Sequence, residues 1–401
     1  MFRQTVATLG NSSEKAYREG YFRYMKIAVL VSGGVDSSVA LRLLKDEGHE
    51  LTAFYLKIWL EDELSFLGEC PWEDDLAYVR AVCEQAGVPL EVVPFQKEYW
   101  ERVVAYTVNE VKEGRTPNPD MLCNARIKFG AFYEYISDKG YDKIATGHYA
   151  WIEEVCHPAG CLPAVGMAGT RSRVEPGTTK QVLLRVSPDP IKDQTYFLSQ
   201  LSQAQVSKAL FPIGRMEKSE VRKLAERYEL PNAKRKDSQG ICFLGKIPFD
   251  QFLEYHLGKK PGKLIEYETG EVLGEHDGFW YFTVGQRRGI KLPGGPWYVI
   301  KKSAETNEVF ISHGAHHELL ARDMFTVGNM NWVSGTEPEK RELSVKIRHG
   351  AKMYQATVEY LANGMVKVIL IEKDLGVAEG QFAVFYDGLV CLGGGVISAS
   401  S

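Results

Sequence analysis

Residues 25–31 (MKIAVLV) form a short unbroken apolar run closed by Gly33-Gly34, the pattern of a strand buried on both faces. Over 36–47 (DSSVALRLLKDE) the period changes. Val39, Leu43 and Leu44 recur at helical spacing, and Gly48 supplies a stop. The alternation continues with a strand over 51–59, a helix over 75–86 and a strand over 89–95. Helices over 98–113 and 124–138 follow, then a strand over 143–147. Strands alternating with helices at this spacing predict a doubly wound parallel sheet covered on both faces.

The alternation weakens after about residue 150. Residues 156–180 are rich in Gly, Pro, Ala, Thr and Arg without a period and read as a surface loop or insertion. Residues 192–230 read as helical, and from about 262 short strands with Gly punctuation run to the end. The expected layout is an α/β domain over 25–210, a small mixed α/β middle domain over 211–302 and a C-terminal β-barrel over 303–401. Residues 1–24 carry no apolar core of the kind a secretory signal needs and read as a disordered extension or a transit segment.

Composition narrows the class. The 401 residues are 44% hydrophobic and 25% charged, which excludes a disordered chain, a collagen and a coiled-coil rod. No run approaches the roughly 18–20 apolar residues of a membrane helix, so no membrane partner is expected. A net charge of −4 means that any nucleic-acid role rests on a local patch. Residues 207–236 supply one, with nine Lys/Arg against four Asp/Glu, and Lys234, Arg235 and Lys236 close it. The alternative is a solvated helix face in which Glu217, Glu220, Glu226 and Glu229 pair with neighbouring bases. Seven cysteines, an odd number without CxxC, read as thiols in a reducing compartment. Cys156, His157 and Cys161 lack a second ligand pair, so no metal site is expected.

Three stretches carry chemistry. SGGVDSS (32–38) lies between a strand and a helix. Its glycines let the backbone turn close to a ligand, and the helix start aims N–H groups at that turn, a ready phosphate site. The alternative is a Gly-rich turn with Asp36 or Ser37 capping the helix. In TPNPDMLCNARIKFG (116–130), Pro117 and Pro119 fix an extended turn and Cys123 falls at the expected helix start, which favours a thiolate. Asp120, three residues earlier, is placed to assist proton movement. The alternative is a buried Cys and a capping Asp. In RKDSQGICFLG (235–245), Cys242 follows a basic stretch that lowers a thiol pKa, against a plain core Cys.

SGGxDS after a first strand resembles the pyrophosphatase-loop ATP enzymes, which cleave ATP between its α and β phosphates and adenylate a substrate oxygen. With ATGHYA (145–150), KDQTYFL (192–198), LFPIG (210–214), TVGQRRG (283–289), GGPWYV (294–299), EGQFAVFY (379–386) and CLGGGVI (391–397), the three stretches resemble the tRNA-specific 2-thiouridylase family. CPWEDDL (70–76) is closest to plant or algal members.

The resemblance implies an α/β domain like the adenine-nucleotide α-hydrolases and ATP-dependent 2-thiolation of the wobble uridine of tRNAs of the Lys, Glu and Gln type. Leu30, Val31, Ser32, Gly33, Gly34, Val35, Asp36, Ser37, Leu56 and Gly147 would line the ATP site, with Mg²⁺ accompanying ATP. Asn118, Pro119 and Asp120 would surround the target base. His148, Lys192, Asp193, Gln194, Arg348, His349 and Gln381 would meet tRNA. Cys123 and Cys242 would be the catalytic thiols, with Asp120 as proton shuttle. A persulfide on Cys242 would deliver sulfur, either directly or as sulfide freed by Cys123. Both routes can end in a Cys123–Cys242 disulfide that a cellular reductant reopens. A cysteine desulfurase or sulfur-relay protein would load the persulfide. The protein is expected to be soluble, cytoplasmic in a bacterium and in the plastid stroma or mitochondrial matrix in a eukaryote. Two rivals stay open: another adenylating ligase that needs neither thiol nor tRNA, and a non-catalytic RNA-binding protein on the same fold.

Overall fold

The computed structural model describes residues 24–58, 72–157, 179–236, 248–314 and 321–400. The first apolar run becomes β1 (Lys26–Leu30), with Ile27, Ala28 and Val29 fully buried. β2 (Glu50–Lys57), β3 (Leu90–Pro94), β4 (Lys143–Ala145) and β7 (Ala209–Leu210) join it in a five-stranded sheet ordered β3-β2-β1-β4-β7. All four pairings are parallel, as the alternation predicts. Strand order reverses between β1 and β4, and the crevice beyond their carboxyl ends is where such sheets bind ligands. The loop after β1 and Gly147 after β4 both open there.

Helices Val35–Asp46 and Trp72–Ala86 pack beside this sheet. The predicted 98–113 helix runs Gln96–Tyr99, widens into a π turn over Trp100–Val104 and resumes over Ala105–Lys112. Helix Lys218–Arg227 also belongs to the α/β unit. Its Val221 and Ala225, with Leu230, are buried against Val35, Val39, Ala40 and Tyr149. The expected boundary at 210 is therefore corrected, because the apolar face of this helix has its partner on the helix after β1.

The middle unit holds helix Phe249–Leu257 and a sheet ordered β10-β11-β8-β9, made of β8 (Gly262–Glu266), β9 (Val272–His276), β10 (Trp297–Ser303) and β11 (Glu308–His313). The expected boundary at 302 falls inside the β10–β11 hairpin, which pairs Trp297 with His313 and Ser303 with Glu308. Asn307 closes its turn at φ 55°, a left-handed position that Asn tolerates better than most residues.

The C-terminal strands β12 (Arg322–Trp332), β13 (Glu342–Lys346), β14 (Tyr354–Tyr360), β15 (Val366–Asp374), β16 (Phe382–Asp387) and β17 (Val390–Ser400) pair antiparallel, and a β12–β17 pairing closes them into a barrel. β14 alternates buried and exposed positions, as a barrel wall requires. One part of this sheet comes from elsewhere. The hairpin β5 (Ala150–His157) and β6 (Thr179–Val186) lies within the sequence of the α/β unit, yet β6 pairs with β17. One hydrophobic core therefore runs from Ala28 and Phe54 through Tyr196 to Phe382, Tyr386 and Cys391. Among the described residues no helix is long and apolar enough to cross a membrane. The expectations for residues 1–23, for loop 158–178 and for the side chains of Cys156, His157 and Cys161 lie outside what the structure describes.

Candidate active site

The phosphate loop is built by its glycines. Gly33 has φ +77°, and a Cβ there would lie 2.7 Å from the Asp75 carbonyl oxygen. Gly34 is the N-cap of helix Val35–Asp46 and no side chain caps that helix. The capping alternative for Asp36 or Ser37 is thus replaced. Ser37 Oγ accepts from the Ser32 N–H at 3.2 Å and donates to the Gly34 carbonyl at 3.1 Å, and Ser38 Oγ donates to the same carbonyl at 3.0 Å. The serines fix the loop, and the first-turn N–H groups keep the orientation that suits an anion. Gly147 closes the other wall. A Cβ on it would stand 2.6 Å from Ser37 N. Leu30, Val31 and Val35 are buried, so they offer backbone. Leu56 follows the Leu30–Phe54 pair by two residues and stands half-buried toward the carboxyl end of β2.

Four residues that the sequence reading did not assign here brace this loop. Asp36 accepts from Lys218 Nζ at 2.7 and 2.9 Å and from the Tyr149 hydroxyl at 2.8 Å. Asn232, 1% exposed, donates to the Gly33 carbonyl at 2.8 Å and to Ser38 Oγ at 2.9 Å. Arg235 donates to the Gly33 carbonyl at 3.0 Å, pairs with Asp75 and lies over the Tyr78 ring. The basic stretch 207–236 is in part loop architecture. Its glutamates act differently as well: Glu217 and Glu220 form a capping box.

The second element is the segment before Cys123. Asn118 caps a helix that starts at Pro119, its Oδ1 accepting from the Met121 N–H at 3.4 Å. Pro at N1 suits that start, since it lacks the N–H that would be unpaired there. The expected helix start at Cys123 is therefore corrected. Cys123 lies one turn further in, 2% exposed, where the helix widens into a π turn over Cys123–Ala131. The dipole effect fades beyond the first turn, so the helix start favours Asp120 more than the thiol. The Asn118 side chain hydrogen-bonds the Tyr196 phenol, whose hydroxyl donates to the Phe382 carbonyl at 3.1 Å. Burial raises the Tyr196 pKa against those bonds.

The barrel closes over this segment. Gln381 Nε2 donates to the Thr116 carbonyl at 3.1 Å, and the Thr116 N–H donates to the Glu379 carbonyl at 2.9 Å. His349 packs on the Phe197 ring at 4.5 Å. Desolvation lowers its pKa, while Asp193 and Asp120 pull it back up. Arg348 donates to Asp374 at 2.6 Å and lines a cavity of about 380 Å³ with Gln381, Thr283, Gly285 and Tyr298, between the middle unit and the barrel. Arg348, His349 and Gln381 thus gather near Asn118, Pro119 and Asp120.

Other residues expected at tRNA have inward partners. Asp193, 2% exposed, accepts from Thr195 Oγ1 at 2.8 Å and pairs with the buried Lys346. Gln194 exchanges two hydrogen bonds of 2.9 Å with the Tyr149 backbone. His148, 8% exposed, lies 2.7 Å from Thr146 Oγ1 through Nδ1, and burial, aided by Lys128, holds its pKa well below the usual imidazole range. Lys192 is half-buried, its N–H donating to Asp189 Oδ1. Burial pushes the thiols of Cys83 and Cys391 up to about 11 and about 12, which makes them inert at neutral pH. Cys242, and with it the Cys123–Cys242 pairing, lies outside the described residues. Those residues hold no group of three or more metal-ligating side chains.

Comparison with known proteins follows this architecture. A tRNA methyl transferase HUP domain matches residues 25–246, a tRNA methyl transferase PRC-barrel domain matches 250–313 and an aminomethyltransferase beta-barrel domain matches 322–397. The tRNA-specific 2-thiouridylase MnmA of Parabacteroides distasonis is 43% identical over 379 residues, covering 93% of this chain and 99% of that protein. Those of Porphyromonas gingivalis and Bacteroides thetaiotaomicron are each 41% identical, covering 93% of this chain and 99% and 100% of theirs.

Proposed function

Because the chain belongs to the tRNA-specific 2-thiouridylase family and is a tRNA sulfurtransferase acting on uridine, we propose that it adenylates O2 of the wobble uracil with ATP and replaces that oxygen with persulfide sulfur. The observation that carries the reading is the uncapped helix start behind SGGVDSS, with Gly147 packed against it at the switch point of the sheet. Methyl transfer, which the wording of the domain descriptions invites, gives this phosphate cradle nothing to do.

Carbonyl oxygen is a poor leaving group, so O2 must be activated first. Attack of O2 on the α-phosphorus forms an O–P bond and expels pyrophosphate with the electrons of the broken bond. The N3 proton leaves with this step, and Asp120 is the carboxylate at the base-binding segment that takes it. The terminal sulfur of a Cys242 persulfide then adds to C2 and AMP departs. The Cys123 thiolate attacks the inner sulfur, forms the Cys123–Cys242 disulfide and leaves the electron pair on the sulfur now bonded to C2. In the variant route Cys123 attacks first and frees sulfide, which adds to C2. Either way a reductant restores both thiols. Mg²⁺, carried in on the triphosphate, supplies charge neutralisation. Asp36, the carboxylate of the phosphate loop, would hold it only once Lys218 releases the two oxygens it occupies.

Asn118 and Asp120 meet the extruded base, which must leave its stack to be reached. Arg348, His349 and Gln381 contact the tRNA around it. A desulfurase or sulfur-relay protein loads Cys242, and the enzyme works in solution where tRNA, ATP and a reductant meet. The test is mass analysis of tRNA after incubation with ATP, Mg²⁺ and a persulfide source. One sulfur-for-oxygen exchange at the wobble uridine, with one AMP formed, is expected. Cys123→Ser should abolish product while Cys242 still accepts labelled sulfur. Thiolation without ATP, or by Cys123→Ser at the normal rate, overturns the mechanism.

A further inference from the structure

The segment from Gly114 to Asn118 joins two helices and is held from both sides. On the near side, the Gly114 and Arg115 N–H groups donate to the Val111 and Glu110 carbonyls at 3.0 and 2.9 Å, and the Arg115 guanidinium grips the Glu110 carboxylate at 2.6 and 2.7 Å. On the far side the partners come from the barrel, 265 residues later in the case of Gln381. The Thr116 N–H donates to the Glu379 carbonyl, and the Thr116 carbonyl accepts from Gln381 Nε2. The Tyr196 phenol accepts from the Asn118 side chain and donates to the Phe382 carbonyl. Residues 379, 381 and 382 therefore support Thr116 and Asn118 between them. That stretch is itself tied to β17, since the Gly380 N–H donates to the Ile397 carbonyl at 2.9 Å and the Ile397 N–H donates to the Gln381 carbonyl at 2.8 Å. Gly380 is the point of closest approach. Its φ is +87°, and a Cβ there would stand 2.7 Å from the Thr116 nitrogen and 2.9 Å from Arg115 Cβ. Only a glycine lets the two backbones meet this way.

We propose that the barrel stretch 379–382 is the positioning element for the target uracil, with Gly380 its contact point. It touches no reacting atom and acts through Asn118 and Asp120, so it rests on reading Asn118, Pro119 and Asp120 as the base-binding segment. The phosphate loop is braced differently. Tyr149, Lys218, Asn232 and Arg235 all lie in the segment matched by the HUP domain and none lies in the barrel. The two halves of the site are thus set by different parts of the chain, the ATP half from within the α/β unit and the uracil half from the barrel. Disturbing the barrel stretch leaves ATP bound and slows the step that needs a placed base.

The test compares Gly380→Ala with Gly364→Ala in the full chain. Gly364, in the turn between β14 and β15, has φ +77°, and no atom lies within 4 Å of an added Cβ. Both variants carry the backbone strain of an alanine at positive φ, and only the first also enters Thr116. Gly380→Ala should lower kcat for tRNA-dependent pyrophosphate release and for thiolation by roughly 10- to 100-fold, the scale of a small misplacement. Its dissociation constant for ATP should stay within about twofold, well under the tenfold change that 1.4 kcal/mol would bring. Gly364→Ala should keep the wild-type values. Tyr196→Phe, which removes the hydroxyl between Asn118 and Phe382, should slow the same step by about 5- to 10-fold, and it decides the matter if Gly380→Ala does not fold. Equal kcat in Gly380→Ala and Gly364→Ala, or in Tyr196→Phe and wild type, overturns the positioning role. So does a loss of ATP affinity as large as the loss of kcat. Asn118→Ala and Asp120→Ala separate the two readings: if both are slow, a failure belongs to the barrel stretch alone, and if both thiolate at the normal rate, the base-binding reading falls with it.

Discussion

Lys346 Nζ lies 3.2 Å from Asp193 Oδ2, and the two side chains are 4% and 1% exposed. The pair joins the barrel wall to the KDQT segment of the α/β unit, where Thr195 and the Ser187 N–H complete the carboxylate's hydrogen bonds. A resemblance carries Asp193 toward tRNA, but its oxygens point into the protein. Removing the cation leaves a buried carboxylate uncompensated. Lys346→Met should therefore lower unfolding stability by about 3–5 kcal/mol. The double variant Lys346→Met with Asp193→Asn should lose much less. Urea titration of the three chains checks this, and equal losses in single and double variants would show that the charge pair is not the cause.

Gly147 should not tolerate a side chain. An added Cβ would enter the Asp36–Ser37 peptide at 2.6–2.9 Å, and that contact is backbone, which cannot swing aside. Gly147→Ala should keep its circular dichroism and tRNA affinity but lose ATP-dependent thiolation by roughly 100-fold, the scale of an ångström-sized misplacement. An alanine variant with normal ATP affinity would remove Gly147 from the site.

Acid should destabilise the protein through its buried imidazoles. Burial depresses the His148 pKa, and His49, His276 and His349 shift in the same direction. The unfolded chain therefore takes up protons first. Stability is fully present above about pH 6.5, the unfolded value, and drains as pH falls toward the folded pKa values. His148→Asn should flatten the loss of stability as pH falls below about 6.5. Urea midpoints across this range measure it, and parallel profiles for the two chains would contradict the buried-neutral assignment.

The basic stretch divides between two tasks. Arg235 holds Gly33 and Asp75, so its loss should weaken ATP binding. Lys234 and Lys236 flank it at the end of the stretch, and the second task, meeting tRNA phosphates, falls to them. Replacing both with Ala should flatten the slope of log affinity against log salt by roughly 2, and Arg235→Lys should leave that slope unchanged. If the slope responds to Arg235 and not to the lysines, the division is reversed.

The α/β unit was legible because its signals are local. The apolar run 26–30, the two glycines and the following helical period are contiguous in the chain. The start of the Cys123 helix was misplaced although its signal was present. Asn118-Pro119-Asp120 is an N-cap, a proline at N1 and an acid in the first turn, and the two prolines drew the reading to an extended turn instead. Lys218, Asn232 and Arg235 were hidden by distance. The partners of Arg235 are 202 and 160 residues away, and no period along the chain records that. The domain boundaries failed for a related reason. A strand's alternation reveals which face is buried but not which sheet it joins, so β10, β11 and the β5–β6 hairpin could not be assigned to a partner.

That hairpin has a consequence for how the chain is made. β7, the last strand of the parallel sheet, emerges only after the hairpin, so the first domain cannot finish its sheet before β5 and β6 have left the ribosome. β6 then waits for β17, which includes the last residues that the structure describes. Such long loop closures are slow to form. During synthesis the hairpin presents an open strand edge that a chaperone or a second nascent chain can occupy. A stop codon before Val390 would therefore reach back, through one missing strand, to an element translated about two hundred residues before it.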